Sequence, residues 1–465
     1  MPHPFDVALT HAKAFRETVA GRPPRPTIGV ADMRARMGGP TPERGEDGAA
    51  VIEALARAAD PGLMGQIGPR FFGWVIGASH EVGVAADWLT SAWGQNAGMY
   101  VGSPAAAVAE ETAARWLVDI LRLPQECSVG FVTGATMANF VGLAAGRNEV
   151  LRRVGWDVEQ HGLYGAPRVR VLVGDDAHTT VFAALRYLGF GAATPTRIAA
   201  DDQGRMDAAA LERALAEHDA PTIVIAQAGQ INTGAFDPAA RIARACRKHG
   251  AWLHIDGAFG LWARAAPELA HLAEGVEDAD SWATDGHKWL QVPYDSGYAF
   301  VRDREAHRRA MTIAASYLPQ AQTEYDAAAF APELSRRARG FATWAVLKHL
   351  GRSGVAEMVS RHCALTARLA KRLGGEAGVH VLNEVCLNQV VFGFGDHEPQ
   401  DDVTRAVIAR LQQDNECFAG GASWRGRWVL RVSVISAPLT EADIERLGDA
   451  ILAAWRAVRS KDACA

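Results

Sequence analysis

Asp280-Ser281-Trp282-Ala283-Thr284-Asp285-Gly286-His287-Lys288-Trp289-Leu290 is the stretch on which the reading of this chain turns. Only six residues are lysine and every other side-chain cation is arginine, so a plain surface cation at 288 could as easily have been Arg. Arginine keeps its proton inside a protein, whereas a desolvated lysine can lose it and condense with an aldehyde as a Schiff base. Lys288 lies among aromatic and aliphatic neighbours, just before Val292-Pro293. That setting suits the Schiff-base chemistry, and it equally suits an ordinary lysine snorkelling from a buried loop.

A second stretch, Ala251-Trp252-Leu253-His254-Ile255-Asp256-Gly257-Ala258-Phe259-Gly260, reads as a buried strand ending in a carboxylate and a small-residue loop. Asp256 stands thirty-two positions ahead of Lys288. An enzyme of pyridoxal phosphate (PLP) needs a lysine for the aldehyde. It also needs a carboxylate that keeps the pyridine nitrogen protonated, so that the ring accepts electrons. An acid at the carboxyl end of a strand is common in sheet proteins without such chemistry, so the pair says more than either residue alone.

With these motifs in this order, the chain resembles the group II PLP-dependent amino acid decarboxylases. That family includes the aromatic-L-amino-acid, glutamate and diaminobutyrate decarboxylases. Asp285-Gly286-His287-Lys288-Trp289 resembles the family's lysine motif and His254-Ile255-Asp256-Gly257-Ala258 its aspartate motif, and the resemblance runs from about residue 54 to near the C-terminus. It implies an α/β fold of the PLP-dependent aminotransferase type (fold type I). This has a mostly parallel central sheet with helices on both faces, and a smaller α+β C-terminal domain. The expected organisation is 1–90 as N-terminal arm and helical segment, 91–350 as the large PLP-binding domain and 351–465 as the small domain.

The resemblance also implies roles for single residues. Ala135 and Thr136 match the contacts to the cofactor phosphate. His178 matches the ring-stacking histidine, and Asp256 the partner of the pyridine nitrogen. Asn232 or Thr233 stands at the side of the ring's 3-hydroxyl. Ala258, Asp285 and His287 complete the cofactor set, His287 orienting Lys288 or touching the phosphate. Trp74 and Val75, with Phe72, match the residues against the substrate's side chain. Aromatic decarboxylases carry a hydroxyl residue near the position of Gly77, and its absence leaves specificity open. Tyr317, on an expected mobile loop over 310–335, matches the acid that protonates the carbanion, with Tyr325 as its rival. The Arg-rich run Arg336-Arg337-Ala338-Arg339 corresponds to a stretch near the partner subunit's cofactor, or is a solvated charge run. The N-terminal segment is expected at a dimer interface, making a homodimer whose sites draw on both chains.

The residues read by themselves agree in outline. Val129 to Phe140 is strand, tight turn, helix; Gly134 and Ala135 leave room, Thr136 offers a hydroxyl, and a helix N-terminus attracts a phosphate dianion. Strands and helices alternate over about 129–301, which argues for a mostly parallel sheet with crossover helices. The candidate residues fall just past strand carboxyl ends, where such sheets bind ligands. A helix is predicted over 104–121 with Glu110 and Glu111 on its solvated face. Helices are also predicted over 401–414 and 441–458, and the prolines at 23–26 and 40–42 are expected to break any long helix in the arm.

At 465 residues, two domains are expected, and 49% hydrophobic with 22% charged content is that of an ordinary soluble globular chain. A net charge of −5 gives no reason to expect nucleic acid. No apolar run is long enough to span a bilayer, and residues 1–6 are not a signal peptide. Six scattered cysteines without a Cys-x-x-Cys pair indicate neither zinc nor disulfides, which fits a cytoplasmic enzyme. The expected function is decarboxylation of an L-amino acid to its amine and carbon dioxide, with Phe71, Phe72 and Trp74 pointing to an aromatic substrate. Aldehyde synthesis or transamination on the same scaffold, an acidic or diamino acid substrate, and a non-catalytic homologue are the rival readings.

Overall fold

The computed structural model describes residues 2–191, 193–313 and 325–462. The chain forms two compact units: Gly77–Ala367 with Asn383–Val390, and Met1–Ile76 with Arg368–Leu382 and Val391–Ala465.

The first unit is built on β1 (Ser128–Val132), β2 (Arg170–Gly174), β3 (Thr196–Ile198), β4 (Thr222–Gln227), β5 (Trp252–Asp256), β6 (Ser281–Asp285) and β7 (Gly297–Val301). Their order is β1-β7-β6-β5-β4-β2-β3. Neighbours from β3 to β6 pair in parallel, and β7 runs antiparallel between β6 and β1. Every residue of β4 to β7 is buried, the mark of strands covered on both faces. The Ala135–Arg152 and Thr179–Tyr187 helices close one core with Val171, Val173, Ile223, Ile225 and Trp252 of the sheet. β6 continues a run that the sequence presented only as apolar surroundings of a lysine, and its last residue is Asp285.

A buried polar chain holds the Ala135–Arg152 helix to the sheet. Trp252 Nε1 donates to Ser281 Oγ (2.9 Å), His254 Nδ1 meets the same hydroxyl at 2.8 Å, and His254 Nε2 meets Asn139 Oδ1 at 2.8 Å. Burial pushes the His254 pKa down to about 3, and that of His307, whose Nε2 donates to Phe330 O, also to about 3. Both imidazoles are therefore neutral in the fold, while the unfolded chain takes up protons below its ordinary pKa near 6.5. Stability is then full above that value and is lost as pH falls towards 3, by up to about 1.4 kcal/mol per pH unit for each imidazole. Urea midpoints are expected to drop from pH 7 to pH 5, and His254→Gln to flatten the slope. An equally steep fall in that variant would contradict this account.

The second unit holds a four-stranded sheet, β8 (Val379–Val381), β9 (Gln389–Phe394), β10 (Gly420–Trp424) and β11 (Arg427–Ser433), in the order β10-β11-β9-β8. The Asp401–Asp414 and Glu441–Asp462 helices pack with it. Thr440 and Asp443 form a capping pair, Thr440 N–H donating to Asp443 Oδ2 at 3.0 Å. The arm is more regular than its prolines suggested. Pro4–Thr18 and Val30–Met37 are helical, with Pro4 in the first turn and Pro23-Pro24 between the two helices.

The boundaries expected near 90 and 350 both fall inside the first unit. Residues 77–80 are tied to the lysine loop there, Ala78 N–H donating to Gln291 Oε1 (2.9 Å) and His80 N–H to Gln291 O (2.8 Å). Gly340–Gly374 carries helix past 350 with one non-helical residue, Gly351. Glu110 is not on a solvated face: it is 1% exposed and pairs with Arg336 at 2.9 Å.

Candidate active site

The carboxyl ends of β1, β2, β4, β5 and β6 surround a cavity of about 290 Å³, which lies wholly within the first unit. Lys288 enters it from the turn after β6. Gly286 and His287 N–H donate to Ser296 O, and the Gln291 side chain donates through Nε2 to Lys288 O (3.0 Å), so hydrogen bonds to the main chain fix the lysine's position from both sides. Trp289 is fully buried, its Nε1 donating to His362 Nδ1 at 3.0 Å. A Cβ on Gly77 would fall on the Lys288 carbonyl. The backbone thus approaches too closely for any side chain at 77 itself. The Lys288 side chain is 18% exposed, with Nζ 3.0 Å from Asp285 Oδ2.

Asp256 ends β5 at the cavity and is 5% exposed; Oδ1 accepts the Ala258 N–H at 3.2 Å. Burial pushes its carboxyl pKa up, and the charges of His178 and Lys288 oppose that. His178 lines the cavity as the N-cap of the Thr179–Tyr187 helix, with Nδ1 2.7 Å from Thr180 Oγ1. Ala135 and Thr136 open the Ala135–Arg152 helix at the cavity, and Ala135 N–H donates to Asp285 Oδ1 at 2.6 Å. His287 reaches that oxygen at 3.4 Å through Nε2, accepts the Ser296 N–H on Nδ1, and stacks on Tyr294 with ring centroids 4.3 Å apart. Burial pushes the His287 pKa down, so the ring is neutral near pH 7.

The structure therefore brings Lys288, Asp256, His178, Ala135, Thr136, Ala258, Asp285 and His287 to one cavity. Asn232 and Thr233 do not line it. Both N–H groups are spent on Gln230 Oε1, the Thr233 hydroxyl donates to Gln203 O, and Gly229 and Ile231 face the cavity instead. Sequence reasoning also missed Gln227, which ends β4, Thr180, in the first turn of the Thr179–Tyr187 helix, and Phe259, three residues past β5; their place beside strand ends and a helix start at that edge is the signal that would have found them.

Phe72, Trp74 and Val75 belong to the other unit. There Phe72 bonds like a strand residue, its N–H to Phe418 O (2.8 Å) and its O to Ser433 N–H (3.0 Å). The Trp74 indole leans on Phe418 at 4.9 Å yet is 47% exposed. Trp74 and Val75 both take φ of 57°, a left-handed backbone that costs non-glycine residues on the order of 1–3 kcal/mol each. Tyr317 lies outside the described residues. Tyr325 is committed elsewhere: its hydroxyl donates to Val129 O (3.0 Å) and its ring stacks on Phe330. Val129 is at the amino end of β1, about 13 Å of strand away from the cavity edge at Thr133.

The site accepts PLP in its chemistry. A buried carboxylate suits a protonated pyridine nitrogen, and a lysine amine suits an aldehyde. A helix N-terminus suits a phosphate, and the cradle before it stays open only because a Cβ on Gly134 would meet the His287 ring at 2.9 Å. Among the described residues, no group of His, Cys, Asp and Glu could hold a metal ion, and no helix is long and apolar enough to cross a membrane.

Fold and site together define a PLP-dependent enzyme of amino acid chemistry. Residues 31–394 match the pyridoxal-dependent decarboxylase conserved domain, and the chain belongs to that family. The aromatic-L-amino-acid decarboxylase of Bacillus atrophaeus is 28% identical over 397 residues, covering 84% of this chain and 80% of its own. The acidic amino acid decarboxylase GADL1 of Xenopus tropicalis is 30% identical over 325 residues, 68% of this chain and 63% of its own. The crystal structure of Oryza sativa TDC with PLP and tryptamine superposes with a TM-score of 0.91 at 23% identity over 97% of each chain. The chain is thus a PLP-dependent amino acid carboxy-lyase by family, and its fold is the one expected.

Proposed function

We propose that this enzyme decarboxylates an aromatic L-amino acid to its amine, with Lys288 as the residue that carries PLP. The observation behind this reading is the convergence of Lys288, Asp256 and His178 on one cavity at the strand carboxyl ends. Bound there, PLP supplies an electron-accepting ring on which the bond to the substrate's carboxylate is broken. Lys288 takes its aldehyde. Asp256, whose charged form burial disfavours, gains by holding a proton on the pyridine nitrogen. His178 fixes the plane of the ring, and the N-terminus of the Ala135–Arg152 helix with Thr136 takes the phosphate. Gln227, Gly229 and Ile231 line the cavity where Asn232 and Thr233 were first expected, and of these only Gln227 brings a polar side chain. Tyr317 delivers the proton to the substrate's α-carbon, since Tyr325 is held at the other end of β1.

The aromatic assignment is supported by the Bacillus relative's name and by the aromatics Phe71, Phe72 and Trp74 that the sequence gathers in one loop. An acidic substrate is the second reading, favoured by the GADL1 relative. Against it, the cation nearest that loop is spent: Arg70 bonds Glu416, Gly21 O and Arg22 O. A cytoplasmic homodimer completes the proposal. The Pro4–Thr18 and Val30–Met37 helices bury no residue, and Val30 and Met37 are exposed. In the first unit, Leu89, Trp93, Val108, Phe341 and Trp344 line an open apolar groove of about 440 Å³. A second copy would cover such surface.

A product screen tests the reading. Protein with PLP is given Trp, Tyr, Phe, dopa, Glu, Asp and diaminobutyrate singly, and products are identified by mass spectrometry. An amine from an aromatic substrate is expected. Amine from Glu or Asp alone would overturn the substrate, and aldehyde or keto acid without amine would overturn the chemistry.

A further inference from the structure

We propose that Asp285 is a built-in anionic placeholder that competes with the cofactor phosphate for the Ala135 N–H, and so limits how tightly PLP is held. The inference rests on the proposed placement of the cofactor phosphate at the Ala135–Arg152 helix, and it reverses the role first expected of Asp285 as a cofactor contact.

Three contacts carry it. Asp285 Oδ1 takes the Ala135 N–H at 2.6 Å, the first free donor of an eighteen-residue helix. Its Oδ2 lies 3.0 Å from Lys288 Nζ, and His287 Nε2 approaches Oδ1 at 3.4 Å. The side chain is 3% exposed, so water screens little of its charge. One carboxylate thus satisfies both groups that PLP would claim, the helix end by its phosphate and the lysine by its aldehyde. Asp285 cannot retreat with its backbone. Its N–H donates to Ala258 O (3.0 Å) and its carbonyl accepts from Trp262 Nε1 (3.1 Å), which pins it as the last residue of β6.

A phosphate dianion arriving at this helix end meets a second anion already bonded there, and the two repel in a poorly screened space. The carboxylate must give up the Ala135 N–H before the phosphate can take it. The same carboxylate also pairs Lys288 and gives the Ala135 N–H a partner, so that this buried donor is not orphaned. The site is thereby built to exchange its cofactor rather than to trap it, and to refuse small free anions.

The test uses Asp285→Asn, which keeps the shape and removes the charge, and Asp285→Ser, which removes charge and bulk. Apo protein is titrated with PLP by absorbance. Separately, its melting temperature is followed with inorganic phosphate as the only ligand. Both variants are expected to bind PLP about tenfold more tightly than wild type, and to gain more melting temperature from phosphate than wild type does. Equal or weaker PLP binding in the folded variants, with no added response to phosphate, overturns the placeholder. Either variant alone decides this if the other does not fold. Borohydride reduction followed by peptide mass spectrometry separates the two levels of failure. Wild-type cofactor fixed on Lys288 with no gain in the variants sinks only this inference, whereas no fixation in wild type sinks the placement on which it rests.

Discussion

Lys288→Ala is expected to lower turnover by about 10³-fold or more, and Lys288→Arg is expected to do the same. The pair of variants separates charge from chemistry. Arginine keeps a cation beside Asp285, which in the wild type lies 3.0 Å from Nζ, so the local electrostatics are largely preserved. A guanidinium does not give up its proton in a protein and cannot take the cofactor's aldehyde. Neither change should unfold the chain. The hydrogen bonds that shape the turn, Gly286 and His287 N–H to Ser296 O and Gln291 Nε2 to Lys288 O, do not involve the Lys288 side chain. Amine production and melting temperature, measured on the same samples, check this. Substantial turnover in Lys288→Arg would show that the residue acts by charge alone and would sink the assignment.

Much of this site was legible in the sequence because its chemistry is local. Asp256 ends an apolar strand, and Lys288 follows an apolar strand by three residues, so each motif carries both the group and the element that aims it. The Asp401–Asp414 helix is as predicted. What was not legible depends on partners distant in the chain. Asn232 and Thr233 look like ligand-binding residues, and only the fold shows their N–H groups turned onto Gln230 and the Thr233 hydroxyl onto Gln203. Glu110 has the look of a solvated helix charge because its partner is Arg336. The Arg-rich run that holds Arg336 was read either as near a partner's cofactor or as solvated, and Arg336 itself is buried rather than solvated.

That ion pair carries the second large expected effect. Arg336→Met is expected to destabilise the fold by about 3–5 kcal/mol, read as a fall in urea midpoint, because it strands a buried carboxylate. The Arg336 and Glu110 side chains are 0% and 1% exposed at 2.9 Å, and Arg336 also donates to Ala97 O (2.9 Å) and Phe131 O (2.8 Å). It thereby joins the Pro104–Ile120 helix and residue 97 to β1, whose far end opens onto the Gly134 turn. Burial pushes the Glu110 pKa up, and the Arg336 charge is the largest force opposing it. Without Arg336 that pKa rises further, so the folded chain holds a proton that the unfolded chain releases. The sign follows: a carboxylate with a raised folded pKa loses stability as pH rises above its unfolded value, and the variant's deficit should be largest on the alkaline side. Glu110→Leu in the Arg336→Met background is expected to restore most of the loss, because two apolar side chains leave no unpaired charge. A double variant as unstable as the single one would mean that the bonds to Ala97 and Phe131, rather than the stranded charge, set the penalty.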